Sequence, residues 1–480
     1  MPVAAVLLWG LAAVPSIHPE AMNDLGLISA LPVTYFIALG ALLVSLSVEL
    51  HRADHRPWLV GLHLVAVFVI LQATVPLAYP EPRYTWTYKH IGVIDNISAY
   101  HHLDRGVDIY QNFPGFFSAT AVLSRLSTIT PLQLARWAPF VFSAMNVMAV
   151  RFALNGLTRD PRRLQVALFV YILTDWVGQN YLSPQAFAFP LCIVAIALTM
   201  RYLGPRIRSA GGAHRAQAHH RRWIPTSWFA SPERNDDGVD TAADIPYWAA
   251  AVLVLAIAAV VVLSHPLTPF MLIASLAGLV VVRRCPAWLP VAVAIMTVIQ
   301  VALSWHLLST QFPGLFGSFG DVSQNAAGVG SGIGSTDHAI VVWGTRLLSS
   351  LVWFLALAGA LLAAVRGDVR RVATPALMFL APFVLVFGQS YGGEAIYRVY
   401  MFTLPWCAYL ISELWAAPTG TAPSLKRRRL GVVGLGCVLL PLFILTYFGL
   451  DRYAYVRPAA VDAAIWFDSH TAPGSVLVGV

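Results

Sequence analysis

The chain is poor in charge. Asp, Glu, Lys and Arg make up only 11% of its 480 residues, against roughly 25% in an ordinary soluble domain. A soluble fold with so little charge would lack polar surface to face water, so the composition excludes that class. A bilayer asks for this composition, because lipid tails replace water as the solvent. Cysteine is scarce as well. Cys192, Cys285, Cys407 and Cys437 lie in or beside apolar runs and form no CxxC pair, which excludes a disulfide framework and a ligand set of the zinc-ribbon kind. No basic segment precedes the first apolar run, Pro2 to Val14, so it lacks the n-region of a signal peptide. The run is also shorter than the roughly 20 residues that cross a bilayer. We read it as a first span with a clipped start, with a re-entrant segment as the alternative.

What is present is apolar: 58% of residues. Runs near 2–14, 31–49, 58–78, 132–154, 164–180, 184–200, 247–263, 267–282, 287–308, 340–365, 374–388, 397–416 and 430–449 predict an all-α membrane protein with about thirteen transmembrane helices. The formal charge of +8 invites a nucleic-acid partner, and its placement argues against one. With the N-terminus inside, 21 of the 31 Lys and Arg residues fall in inner loops, from Arg52 and Arg56 through Arg159, Arg162 and Arg163 to Lys426–Arg429. Six fall outside: Arg83, Lys89, Arg105, Arg125, Arg452 and Arg457. That bias is how multi-pass proteins mark their cytoplasmic loops. It predicts a plasma-membrane protein with its large loop and C-terminal tail on the outer face.

Four parts follow. Residues 1–200 form an N-terminal transmembrane module with a large outer loop, 79–130. Residues 201–246, rich in His and Arg and then acidic (ERNDDGVD), read as a disordered cytoplasmic linker. Residues 247–450 form a C-terminal transmembrane module with a Gly- and Ser-rich outer loop, 309–338, that reads as a lid. In the outer tail 451–480, AAVDAAIWFDSH reads as a helix and GSVLVGV as a strand, together the start of a small outer domain. Within the first outer loop, FFSATAVLSRLSTIT has the mixed spacing of an amphipathic helix lying on the membrane. No internal repeat supports an inverted-repeat transporter.

The first outer loop gathers Glu81, Arg83, Lys89, His90, Asp95, His101, His102, Asp104, Arg105 and Asp108 among Tyr84, Trp86, Tyr88, Tyr100 and Tyr110. Aromatics beside carboxylates suit a sugar, which offers an apolar ring face and a polar rim; the plain alternative is an interfacial aromatic belt with solvated charges. Asp95, in the apolar stretch KHIGVIDNI, is the first candidate for a catalytic base, because partial desolvation raises a carboxyl pKa toward useful values. Glu81, just after a span, is the second, and Asp24 a third; each could instead be a helix cap or a surface ion pair. Arg83, Lys89 and His90 could meet a phosphate or simply snorkel toward headgroups. Asp108 completes the substrate-binding candidates of the loop. A divalent metal on its His and Asp residues is an open alternative, but no spacing among them is diagnostic, so no metal ligand is assigned.

Ionisable residues inside spans are usually functional or paired. Glu394 and Arg398 of GGEAIYRVY are four apart and share a helix face, as an ion pair or as substrate contacts. His265, in the turn SHPLTP, could face the same cavity, as could Asp175, Gln179, Asn180 and Gln185 of DWVGQNYLSPQ.

These segments carry a resemblance. YTWTYKHIGVIDNI and DIYQNFPGFF between Tyr84 and Phe117, with QNYLSPQAFAF, SHPLTPF and GGEAIYRVYMFTLPW, resemble the GT-C membrane glycosyltransferases, in particular large actinobacterial-type members. The resemblance covers most of the chain as short islands. It implies a GT-C-like fold, an outer-face active site, a polyprenyl-phosphate-linked sugar as donor, a glycan, lipid or protein acceptor and an inverting displacement. The acidic role then falls on Asp95 or Glu81. One departure is that two full-length spans, after the short first run, precede the long loop here where the family usually has one, which is what keeps Asp24 in view. The rival classes are a transporter or lipid flippase, which would place polar groups near the bilayer midplane, and a non-catalytic cell-envelope assembly subunit.

Overall fold

The structure, a computed structural model, describes residues 1–51, 56–204, 245–311, 320–326, 334–388, 394–415 and 425–472. Most of the expected linker 201–246, much of the 309–338 loop, the two glycines before Glu394 and the expected C-terminal strand therefore lie outside the described residues.

Every one of the thirteen apolar runs carries a helix. In chain order the helices are α1 (Pro2–Leu8), α2 (Val33–His51), α3 (Pro57–Ala78), α4 (Thr85–Tyr100), α5 (Ile109–Asn112), α6 (Gly115–Ser127) and α7 (Pro131–Asn155). Next come α8 (Pro161–Ile172), α9 (Pro184–Leu198), α10 (Tyr247–Ser264), α11 (Thr268–Val281), α12 (Trp288–Leu303) and α13 (Trp305–Gln311). The last are α14 (Val322–Ala326), α15 (Thr336–Val365), α16 (Val369–Leu380), α17 (Val384–Gly388), α18 (Ala395–Ser412), α19 (Leu425–Gly449), α20 (Asp451–Ala454) and α21 (Pro458–His470). The starts are written in the sequence. Proline opens α3, α7, α8 and α9, where its missing N–H costs nothing. Thr130 and Gln133 close a capping box on α7, and Asp160 and Ser183 cap α8 and α9 through their side chains.

Length divides these helices. Among the described residues eight are long and apolar enough to cross a membrane, or nine if the bent pair α12 and α13 is one span. Of the thirteen expected spans, 2–14, 164–180, 267–282 and 397–416 do not meet that test, and 287–308 meets it only as the bent pair. The run 287–308 breaks at Ser304 into α12 and α13, which meet at 64°. The run 164–180 is helical only to Ile172, so Asp175 lies in a non-helical turn, 173–183, and not inside a helix.

One helix organises the bundle. From Arg398 to Ser412 every residue of α18 is buried, the mark of a helix enclosed on all sides. Helices α8, α15 and α16 pack around it. A close approach is at Gly359 of α15, where a Cβ would meet the carbonyl oxygen of Leu410; small residues let helix backbones come this near.

The loops sort to two ends. At one, Arg163 pairs with Glu413 at 3.1 Å and Arg371 with Asp368 at 3.3 Å. These come from basic loops that the sequence assigned to a common side. At the other end α4 to α6, the 173–183 turn, the 264–268 turn, the start of α18 and the segment after α19 come together. This loop-bearing end holds the candidate site.

Candidate active site

The loop 79–130, expected on the outer face, is mostly helical. On α4, Thr87, His90, Val93 and Ile94 are buried against the protein, while Trp86, Lys89, Asp95 and Tyr100 stay exposed. Helix α6 buries Phe116, Phe117, Thr120 and Ala121 and leaves Val122, Leu123 and Leu126 exposed. It is the amphipathic helix expected there.

Three successive residues of the 173–183 turn hold three residues of this loop. Asn180 accepts from Arg83 Nη2 at 3.2 Å. The Tyr181 ring packs on Tyr84 at 5.3 Å between centroids, and also stacks on His90 at 5.6 Å with only 4° between the planes. The Leu182 carbonyl accepts from His90 Nδ1 at 2.7 Å. A carbonyl only accepts, so the neutral His90 ring carries its proton on Nδ1 and keeps the Nε2 lone pair. Tyr110 and Phe117 meet the ring edge-on at 4.9 and 5.5 Å. Burial drives the His90 pKa down to about 4, with Lys89 adding to the fall and the Leu182 hydrogen bond opposing it.

Arg83, expected to meet a phosphate, is otherwise engaged. Its Nη1 pairs with Asp451 at 2.8 Å, both side chains being 1% exposed, and its Nη2 also donates to Tyr447 at 2.8 Å. Asp451 accepts a second bond, from Tyr79 Oη at 2.7 Å. Gln72 and Ser143 extend the network through Tyr447 and Asn180. Buried charge is tolerated here because both partners are hydrogen-bonded. Tyr79, Tyr447 and Asp451 escaped the sequence reading. The available signal was a carboxylate directly after the last span, in GLDRYAY, with Arg83 already placed at the same end.

Arg398 and Glu394 pair as their spacing predicts, at 2.7 Å. Arg398 Nε donates to Gln185 at 3.0 Å. His265 accepts on Nδ1 from the Thr268 N–H at 3.1 Å, which puts its proton on Nε2. Burial holds the His265 pKa well below the usual histidine range, and the nearby Arg398 and His90 push it the same way. So His90, His265, Gln185, Glu394 and Arg398 share one site with Tyr84 and Tyr181. Gln185 Nε2 and Ser264 Oγ are buried there with no hydrogen-bond partner among the described residues.

The other candidates stand around this cluster. The Lys89 ammonium lies 5.4 Å from the Trp86 ring and 5.2 Å from Tyr110, and among the described residues it has no carboxylate partner. Asp95 is exposed. At 100° per residue it points about 140° away from His90, and partial desolvation raises its pKa. Glu81 accepts from Tyr88 Oη at 3.3 Å. Asp108 caps α5 by accepting from the Gln111 N–H at 2.9 Å. Asp24 lies on the turn before α2, whose Gly26 packs against the end of α19. Among the described residues no three His, Cys, Asp or Glu side chains are placed to hold a metal ion.

No protein-family model matches the sequence, and no curated protein does. Solved structures do. The chain is similar to the oligosaccharyltransferase of Archaeoglobus fulgidus tethered through a disulfide to an acceptor peptide containing the NVT sequon, at 13% identity and a TM-score of 0.51, over 88% of this chain and 58% of that one. A second structure of that enzyme, with Zn and sulfate, gives 14% identity and a TM-score of 0.48 over 86% and 56%. The chain thus spans less than two thirds of the protein it matches. A likeness at this identity is one of fold: the protein has a GT-C-like, all-helical, multi-pass membrane architecture.

Proposed function

We propose that the protein is a membrane glycosyltransferase that moves a sugar from a polyprenyl-phosphate carrier to a hydroxyl of a glycan, lipid or protein acceptor at the outer face. The observation that carries the reading is the loop-bearing end itself. An exposed lysine flanked by two aromatic rings lies beside buried neutral histidines and a paired Glu394–Arg398. The GT-C-like fold supports it.

In this reading the carrier lies in the bilayer with its phosphate beside Lys89. Trp86 and Tyr110 offer faces to the sugar ring, while His90 through its Nε2 lone pair, His265, Gln185 and Arg398 orient its hydroxyls. A carboxylate, Asp95 or Glu81, takes the proton of the acceptor hydroxyl. The oxygen attacks the anomeric carbon, the bond from that carbon to the phosphate oxygen breaks, and the phosphate leaves as an anion that Lys89 stabilises. The step balances without a cofactor.

The test is transfer of radiolabelled sugar from a panel of polyprenyl-phosphate sugars by the protein in lipid nanodiscs. Transfer that falls in Lys89→Gln and in Asp95→Asn or Glu81→Gln, with folding intact, supports the reading. No transfer from any donor rejects it.

A further inference from the structure

We infer that Arg83, Asp451, Tyr84 and Gly178 form a positioning device that sets the orientation of the His90 ring and takes no direct part in binding the carrier phosphate; this rests on the transferase reading above.

Contacts run without a break from the ion pair to the imidazole. Arg83 has both Nη atoms engaged, on Asp451, Asn180 and Tyr447. Its guanidinium also lies over the rings of Tyr84 and Tyr447, at 4.9 and 4.7 Å. Only its Nε–H lacks a hydrogen-bond partner among the described residues, and that atom is enclosed with the rest of a side chain 1% exposed; the guanidinium thus turns inward and fixes its neighbour. Tyr84 stands at φ 70°, a left-handed conformation that a bulky residue adopts only when its surroundings impose it. The surroundings are visible. The Tyr84 N–H donates to the Ala454 carbonyl at 2.7 Å, three residues beyond Asp451, and its hydroxyl occupies the place where any side chain at Gly178 would start. The Tyr84 ring is thus held at both ends and packs on Tyr181, which stacks on His90. The next residue, Leu182, holds His90 Nδ1. Shifting Tyr84 shifts Tyr181 and Leu182, and with them both the plane and the tautomer of His90. The loop that bears the site is therefore set by the segment after the last span as well as by its own helix.

Gly178 offers a test that distinguishes positioning from binding. Gly178→Ala places a methyl group against the Tyr84 hydroxyl and touches nothing that would meet the carrier. Tyr84→Phe in the same chain removes the oxygen that the methyl group meets. In nanodiscs, Gly178→Ala is expected to lower kcat by about 10- to 100-fold, the scale of a small misplacement, with the donor KM within about twofold. The double variant Gly178→Ala/Tyr84→Phe is expected to recover most of the loss, as coupled neighbours do. Arg83→Lys should also act on kcat. A double variant as impaired as Gly178→Ala, or an Arg83→Lys enzyme whose donor KM rises tenfold with kcat kept, overturns the inference. A second readout needs no activity: the ring ¹⁵N signals of His90, assigned by their loss in His90→Gln. They should move toward a tautomer mixture in Gly178→Ala and return in the double variant; unchanged signals in Gly178→Ala overturn the inference. Wild-type protein that transfers no sugar rejects the proposed reaction and leaves the decision to this signal.

Discussion

Arg398 donates from Nη2 to Glu394 at 2.7 Å and from Nε to Gln185 at 3.0 Å. One guanidinium therefore ties the start of α18 to the start of α9. Lysine cannot reproduce this fork, because it offers a single compact charge. Each hydrogen bond to a buried charged group contributes roughly 1.5–3 kcal/mol. Arg398→Lys should lower the unfolding free energy by about 2 kcal/mol and Arg398→Met by more. Unfolding in mixed micelles with increasing SDS measures both.

The two histidines make stability depend on pH in a known direction. His90 falls to about 4 when folded, below its value of roughly 6.5 in an unfolded chain. Between those values the unfolded state binds more protons. Its contribution is fully present above pH 6.5 and is lost as pH falls toward 4, at up to about 1.4 kcal/mol per pH unit. His265, also held well below the usual range by burial, acts in the same sense. Wild-type protein should lose thermal stability from pH 7 to pH 5, and His90→Gln should lose less. Equal slopes would show that His90 is not held neutral.

The helices were legible in the sequence because a bilayer makes demands that are local in sequence. An apolar run such as 247–263 has few alternatives to a helix, and basic clusters such as Arg162–Arg163 and Arg370–Arg371 declare which ends belong together. Glu394 and Arg398 were legible for the same reason, since four residues is one helical turn. The partners of Arg83 were not legible on local grounds. Its partner Asp451 lies 368 residues away, and no pattern of spacing joins them. Nor does local sequence show that α8 stops at Ile172, because LTDWVGQN continues with enough apolar residues to mimic a span. Tyr84 is the extreme case, a left-handed tyrosine that only Gly178 and Ala454 explain together.

Asp451→Asn should cost far more than a surface change. It leaves the Arg83 charge buried without its counter-ion, and breaking a buried pair in this way costs about 3–5 kcal/mol. Replacing both partners by apolar residues of similar size should cost much less, because no uncompensated charge remains. Folded yield and SDS unfolding of Asp451→Asn beside Arg83→Met/Asp451→Leu check the comparison. A double variant less stable than Asp451→Asn would mean that the pair itself is favourable at this site.

Lys89 separates binding from chemistry. It stands between two aromatic rings without a carboxylate partner among the described residues, so its charge is available to a phosphate. Lys89→Gln should raise the donor KM by about tenfold, the equivalent of roughly 1.4 kcal/mol, and Lys89→Arg should restore part of it. Steady-state kinetics against donor concentration provide the numbers. An unchanged donor KM would move the phosphate elsewhere.

The general base is the last choice to be decided, and pH decides it. Partial desolvation lifts the Asp95 carboxyl above the usual carboxylate range. A base works only when deprotonated, so transfer through Asp95 should fall on the acid side of the profile at a pH higher than an ordinary carboxylate gives. Asp95→Asn should remove most of the activity at every pH, while Asp95→Glu should keep some and shift the acid limb. Glu81→Gln and Glu394→Gln, measured in parallel, bracket the alternatives. Glu394 is already committed to Arg398 at 2.7 Å, a contact that ties its carboxylate to the start of α18. Its loss should therefore be read first in stability and only second in rate. If Asp95→Asn transfers sugar at the wild-type rate while Glu394→Gln does not, proton removal belongs to the buried cluster beside His90 and not to the exposed face of α4.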